Sequence, residues 1–198
     1  KGLLGKSPYL SSSLTSMYAK CGLLEKAQEV LDEIPIRNVV SWNALISGHA
    51  QQGQIYETLN CFGQMKKEGI SPNVATFLCS LKACSSIGDI ERGRAIQSDI
   101  PVEIFRRDTS LGNSLIDMYA RYGLLADARE LLSELPTCNT VSWNALISGY
   151  VEQDCSEQVM GCIEDMELEG ISADAFTLDC CLKWKCNFLV SRCLLGSN

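Results

Sequence analysis

The sequence predicts an all-α, right-handed superhelical solenoid of stacked antiparallel helix pairs, and three observations carry that expectation. The chain repeats itself at a shift of 101 residues: VSWNALISG stands at Val40 to Gly48 and again at Val141 to Gly149, and self-similarity of this kind marks an array. Apolar residues at helical spacing are interrupted by glycine at Gly22, Gly53, Gly69, Gly88, Gly123 and Gly170, where a helix C-terminus favours a left-handed backbone. No stretch sustains an alternation of apolar and polar residues with period two, so no strand is expected.

Taken in order, the elements fall into units that end at an Asn or Asp: 8–38, 39–73, 74–108, 109–139 and 140–174, followed by a truncated unit, 175–198. In 8–38 the first helix stops at Gly22 and the second before Pro35, which ends a helix without breaking an interior hydrogen bond. Unit 39–73 carries its stops at Gly53 and Gly69, and unit 74–108 at Gly88. The cycle then restarts, with Gly123 and Pro136 in 109–139 and Gly170 in 140–174. A helix of about 12 residues is marginal alone in water, so each pair must bury its apolar face on neighbouring pairs. Ala27 and Ala128 mark the small position where the two helices of a pair approach.

Composition narrows the function. Hydrophobic residues make up 46% of the chain, but no apolar run approaches the ~18–20 residues of a membrane span. The chain opens at Lys1 with neither a charged segment leading into an apolar one nor a transit peptide, so a fragment or processed form is expected. Eleven cysteines, an odd number scattered among apolar helical residues, are expected to be reduced and structural. No C-x-x-C occurs, and the single histidine, His49, has no triad or metal partner spaced around it. No catalytic residue, metal site, cofactor or small-molecule substrate is therefore expected. The net charge of −7 is concentrated: residues 109–174 hold 2 basic and 12 acidic side chains, whereas 1–73 hold 7 and 6.

The wording of the repeats resembles the pentatricopeptide repeat family, and the order of lengths 31, 35, 35 resembles its PLS subclass. MYAKCGLLEKAQEVLDEIP at 17–35 and MYARYGLLADARELLSELP at 118–136 are similar to the short motif. VVSWNALISG at 39–48, TVSWNALISG at 140–149, KKEGISPN at 66–73 and ELEGISAD at 167–174 are similar to the standard motif, and LKACSSIGDIERGRAI at 81–96 to the long one. The resemblance covers residues 8 to about 183. Tetratricopeptide repeats, which bind protein, also pair helices around small residues, but their fixed 34-residue period and W-x-x-L-G-x-x-Y pattern are missing.

The resemblance implies a single-stranded RNA reader taking about one nucleotide per unit, with two or three side chains addressing each base. By the family's pattern, the fifth and last residues of each unit face the base edge: Ser12 with Asn38, Asn43 with Asn73, Leu78 with Asp108, Asn113 with Asn139, and Asn144 with Asp174. Val40 and Val141, each second in its unit, are expected to hold the base plane. Leu78 cannot hydrogen-bond, so unit 74–108 is left without an assigned base. The family's pairings imply A, C/U, unassigned, C/U, U. The Asn and Asp residues that end the units are also good helix caps. Trp42 and Trp143, adjacent on the helix to Asn43 and Asn144, are expected in the core with Tyr18 and Tyr119, and the acidic run Glu164 to Glu169 is expected on a solvated face.

The family also implies a mitochondrial or chloroplast setting and a part in RNA editing or maturation, with editing or processing factors acting in trans. A deaminase needs an H-x-E and a C-x-x-C, and neither is present. A protein-interaction solenoid and a non-functional fragment are the alternatives. Residues 184–198 depart from the long motif.

Overall fold

The computed structural model describes residues 8–180 and 182, and these are helical or lie in the turns between helices, with no strand among them. The sequence features noted at 184–198, and Cys181, Cys186 and Cys193, lie outside the described residues. The chain divides into two compact units, residues 1–101 and 102–198.

The first unit holds three antiparallel pairs: α1 (Pro8–Lys20) with α2 (Leu24–Glu33), α3 (Val39–Gln51) with α4 (Ile55–Lys67), and α5 (Val74–Ile87) with α6 (Ile90–Asp99). The first helices form one row, α1 against α3 and α3 against α5, while α2 leans on α3 and α4 on α5. Trp42, Leu45 and Ile46, at the i, i+3, i+4 spacing of one helical face, are completely enclosed. Ala27 is also fully buried, at the close approach its size allows, beside Leu31 of the same helix. Every such apolar face is covered by a neighbouring helix, which is how short helices become stable.

The second unit holds α7 (Val102–Arg107), α8 (Thr109–Arg121) with α9 (Leu125–Glu134), and α10 (Thr140–Glu152) with α11 (Ser156–Leu168); residues 175–180 start a further helical segment. Here α8 packs on α10, and Leu115, Ile116, Ala128, Leu146 and Ile147 are buried without residual exposure. Helix α7 was not expected from the sequence. It follows Pro101, has Glu103 in its first turn and Arg106 and Arg107 in its last, so its charges suit the helix dipole, and it buries no residue of its own.

All six glycines expected to end helices have left-handed backbone, with φ between +70° at Gly53 and Gly123 and +84° at Gly88. Gly88 is the C-cap of α5, and its N–H donates to the Cys84 carbonyl. The counterpart of Gly53 in the second period is Asp154, and it keeps the left-handed conformation at φ +54°. A side chain there is strained, though Asp tolerates it better than most. Asp154→Gly is therefore expected to raise stability by up to about 1 kcal/mol, seen as a higher urea midpoint; an unchanged midpoint would mean that this turn stores no strain.

One expectation needs correcting. Tyr119 is buried, but Tyr18 is half-buried, with the Lys26 ammonium 6.0 Å from its ring centre. The acidic run lies on a solvated face as expected, with Glu164, Glu167 and Glu169 exposed; within it Asp165 pairs with Arg129 of α9, and Glu169 accepts a hydrogen bond from the Trp143 indole at 3.2 Å. Glu68 does the same for Trp42 at 3.2 Å and also pairs with Arg37. Burial holds the Cys61 thiol up at about 12 and those of Cys84 and Cys162 at about 11, with Glu57, Asp89 and Asp165 adding to it respectively. These thiols stay protonated at neutral pH.

Candidate functional site

Helices α3, α5, α8 and α10 each begin with a side-chain cap. Asn38, Asn73 and Asn139 have extended backbone, and their side-chain oxygens accept the N–H of Ser41, Thr76 and Ser142, whose hydroxyls in turn accept the N–H of the capping Asn. These reciprocal boxes satisfy donors that a helix start otherwise leaves open. Asp174 forms the same box with Thr177, and Asp108 caps α8 through Ser110. The capping role of these residues is thus realised at every one of them.

The same side chains meet the fifth residues of their units. The Asn38 amide donates to Ser12 Oγ at 3.2 Å, Asn43 to Asn73 Oδ1 at 2.8 Å, Asn113 to Asn139 Oδ1 at 3.4 Å, and Asn144 to Asp174 Oδ1 and Oδ2 at 3.1 and 3.2 Å. Residues some 26 to 30 positions apart are therefore joined in four of the five complete units. Asn73, Asn139 and Asp174 are exposed, Asn38, Asn43 and Asn113 half-buried, and Ser12 and Asn144 buried. Hydrogen bonds from the Thr177 backbone and then from the Asn144 amide hold the Asp174 carboxyl below the usual carboxylate range, so it is an acceptor-only anion at neutral pH.

Apolar surface lies beside these polar pairs. Val40 is 57% and Val141 60% exposed. Two aromatic residues in the same second position escaped the sequence reasoning: Tyr9, 87% exposed, and Phe176, 48% exposed. The signal was available, since both follow the first residue of a unit as Val40 and Val141 do. A groove of about 660 Å³ is lined by Tyr9, Ser12, Met17, Asn38 and Val40. Also missed were the hydroxyls of Thr76, Ser142 and Thr177, which donate to the amide oxygens of Asn43, Asn113 and Asn144 at 2.5, 2.6 and 2.6 Å. Leu78 is half-buried and brings no polar atom. The Trp42 and Trp143 rings are buried and take no part in this edge, and His49 bonds only to Gln54 of the next turn, at 2.6 Å. Among the described residues no cluster of His, Cys, Asp and Glu has the arrangement of a metal site, and no helix is long and apolar enough to cross a membrane.

Comparison with known proteins gives this edge a context. The pattern described as the PPR repeat family matches residues 37–86 and 138–187, and that of the PPR repeat matches 10–39 and 113–139. A chloroplastic pentatricopeptide repeat-containing protein of Arabidopsis thaliana is 37% identical over 170 residues, 86% of this chain and 20% of that protein. A mitochondrial one from the same plant is 34% identical over 180 residues, 91% of this chain and 18% of its own length. This chain thus spans about a fifth of these relatives. Among solved structures, the pentatricopeptide repeat protein PPR10 in complex with an 18-nt psaJ RNA element superposes with a TM-score of 0.70 at 17% identity, over 89% of this chain and 27% of that one. The PPR domain of Arabidopsis thaliana protein-only RNase P 1 in complex with tRNA gives 0.70 at 16% identity, over 90% and 98%. At these identities the likeness is one of fold.

Proposed function

This chain belongs to the PPR repeat family, and from that premise we propose that it is a sequence-reading segment of a longer single-stranded-RNA-binding protein. The observation that carries the proposal is the direct hydrogen bond between the fifth and last side chains in four of the five complete units. Two polar side chains fixed together beside exposed apolar surface suit a base whose edge is read while its face is held. The solved relatives bound to RNA support the same reading.

The base preferences follow from which hydrogen-bonding positions remain open. In the Asn43–Asn73 pair both amide oxygens are engaged, Asn73 Oδ1 by Thr76 N and Asn43, and Asn43 Oδ1 by Thr76. What remains is mainly amide N–H, beside one lone pair of Asn43 Oδ1, a largely donating face that suits the O2 and N3 acceptors of cytosine and, less well, the oxygens of uracil. Asn113–Asn139 has the same arrangement. In Asn144–Asp174, Oδ1 of the carboxylate accepts from Thr177 N and the Asn144 amide, and Oδ2 accepts from the same amide, leaving a second lone pair on Oδ2 for the N3–H of uracil. Ser12 with Asn38 is assigned adenine through the family's pairing. Tyr9 with Val40, and Val141 with Phe176, supply apolar faces on either side of a base. Each repeat then takes one nucleotide, within the boundaries 8–38, 39–73, 74–108, 109–139 and 140–174.

Organellar RNA is the proposed target, supported by the chloroplastic and mitochondrial relatives, and editing or maturation the proposed process, supported by the 31, 35, 35 order of the PLS subclass. Chemistry on the transcript is assigned to factors acting in trans.

The test is Asp174→Asn. Asn caps as well as Asp, so the fold is retained while an acceptor becomes a group that also donates. Preference at the facing base is expected to move from uracil toward cytosine by ~1–3 kcal/mol, the size of one base-edge contact. Competition between RNAs differing only at that base, in low and moderate salt, measures it. Low salt is needed because 109–174 carries 12 acidic side chains against 2 basic. Equal change for both RNAs would make Asp174 a cap and nothing more.

A further inference from the structure

We infer that the hydroxyl at the third position of each following repeat, Thr76, Ser142 and Thr177, is a specificity-positioning residue that sets which way the preceding unit's reading amide faces. The inference rests on the base-reading proposal and extends it to residues that touch no base.

At Asn43 the constraint closes in one order only. The Thr76 backbone N–H needs an acceptor, which fixes Asn73 Oδ1 toward it at 3.2 Å. That oxygen also accepts from the Asn43 amide at 2.8 Å, so turning Asn43 over would set two oxygens face to face. The Asn73 N–H donates to Thr76 Oγ1 at 3.1 Å, and the Thr76 hydroxyl lies 2.5 Å from Asn43 Oδ1 and 3.0 Å from Asn73 Oδ1; because the Asn73 oxygen already accepts from two N–H groups, the shorter contact takes the single hydroxyl proton. The Asn43 oxygen is then engaged by Thr76 and one of its amide hydrogens by Asn73, so the amide cannot turn over without losing both bonds. Ser142 repeats this at Asn113, and Thr177 at Asn144.

Two departures within the chain follow the same logic. Where the fifth residue is Ser12, too short to offer an amide oxygen, the hydroxyl of Ser41 turns back to the Asn38 carbonyl at 2.9 Å. Where the fifth residue is Leu78, the third residue of the next unit is Leu111. A hydroxyl reaches across wherever there is an amide to orient. A capping role alone accounts for Thr76 accepting the Asn73 N–H, but not for its hydroxyl lying 2.5 Å from the amide oxygen of a residue 33 positions away.

The experiment compares Thr76→Val and Thr76→Ser with the native chain. Two short single-stranded RNAs, differing only in cytosine or guanine at the base facing Asn43, compete for each protein, and NMR relaxation follows the Asn43 side-chain amide without RNA. In Thr76→Val the preference for cytosine over guanine is expected to fall about five- to tenfold, as for the loss of one hydrogen bond, with the Asn43 amide more mobile; Thr76→Ser is expected to restore both. A native preference that survives in Thr76→Val, with equally weakened binding of both RNAs and an unchanged amide, overturns the inference while base reading stands. No preference in the native chain overturns the base reading and the selectivity role together. Should Thr76→Val fail to fold, Ser142→Ala poses the same question at Asn113, with the same outcomes deciding.

Discussion

Trp42→Ala is expected to destabilise the first compact unit by ~3–5 kcal/mol, the cost of emptying a large aromatic site in a packed core. The indole is 1% exposed, on the same face of α3 as the fully buried Leu45 and Ile46, and α3 is the helix that meets α1, α2, α4 and α5. Trp42→Phe separates packing from polarity: it retains most of the apolar volume and loses the indole bond to Glu68, whose carboxylate is half-exposed and keeps Arg37. Its cost is expected to stay near ~1 kcal/mol. Urea unfolding monitored by circular dichroism distinguishes them, and comparable losses for both substitutions would mean the hydrogen bond, rather than the buried ring, holds α3 in place.

Gly149→Ala is expected to destabilise, although alanine is the better helix former by about 1 kcal/mol. A Cβ at Gly149 would lie 2.6 Å from Ala120 Cβ, 3.1 Å from its Cα and 2.9 Å from Leu125 Cδ2. Two of these atoms belong to or adjoin the α8 backbone, so α8 and α10 must separate, an overpacking worth ~1–3 kcal/mol. Gly161 in α11 and Gly63 in α4 have nothing within 4 Å of the same added carbon, and there alanine is expected to stabilise. Thermal melts of Gly149→Ala and Gly161→Ala should therefore shift in opposite directions. A rise in both would show that propensity outweighs the contact between α8 and α10.

Much of this architecture is legible in the residues because it depends on local rules. A glycine needing φ near +70° to +84°, a proline beyond a helix, and Trp, Leu and Ile at i, i+3, i+4 each announce themselves without knowledge of their neighbours. The fifth and last positions of the units were found through resemblance to a family, and the coordinates then added what holds them. The hidden parts depend on contacts across the repeat. The hydroxyl of Thr76 looks like half of a capping box until Asn43 is brought beside it, and Glu169 looks like surface charge until the Trp143 indole reaches it. Helix α7 escaped because six residues are too few to show a period, and Asp154 because only its place in the repeat, not its type, demands a left-handed backbone.

The double duty of Asn38, Asn73, Asn139 and Asp174, each starting the next helix while bonding to the fifth residue behind it, restricts the alphabet open to anyone recoding this chain. Only a few short polar side chains start helices well, so the closing position cannot be chosen for its base alone. New preferences are more safely written at the fifth position, and a bulky or apolar letter at the closing one is paid for in helix registry before it alters any reading.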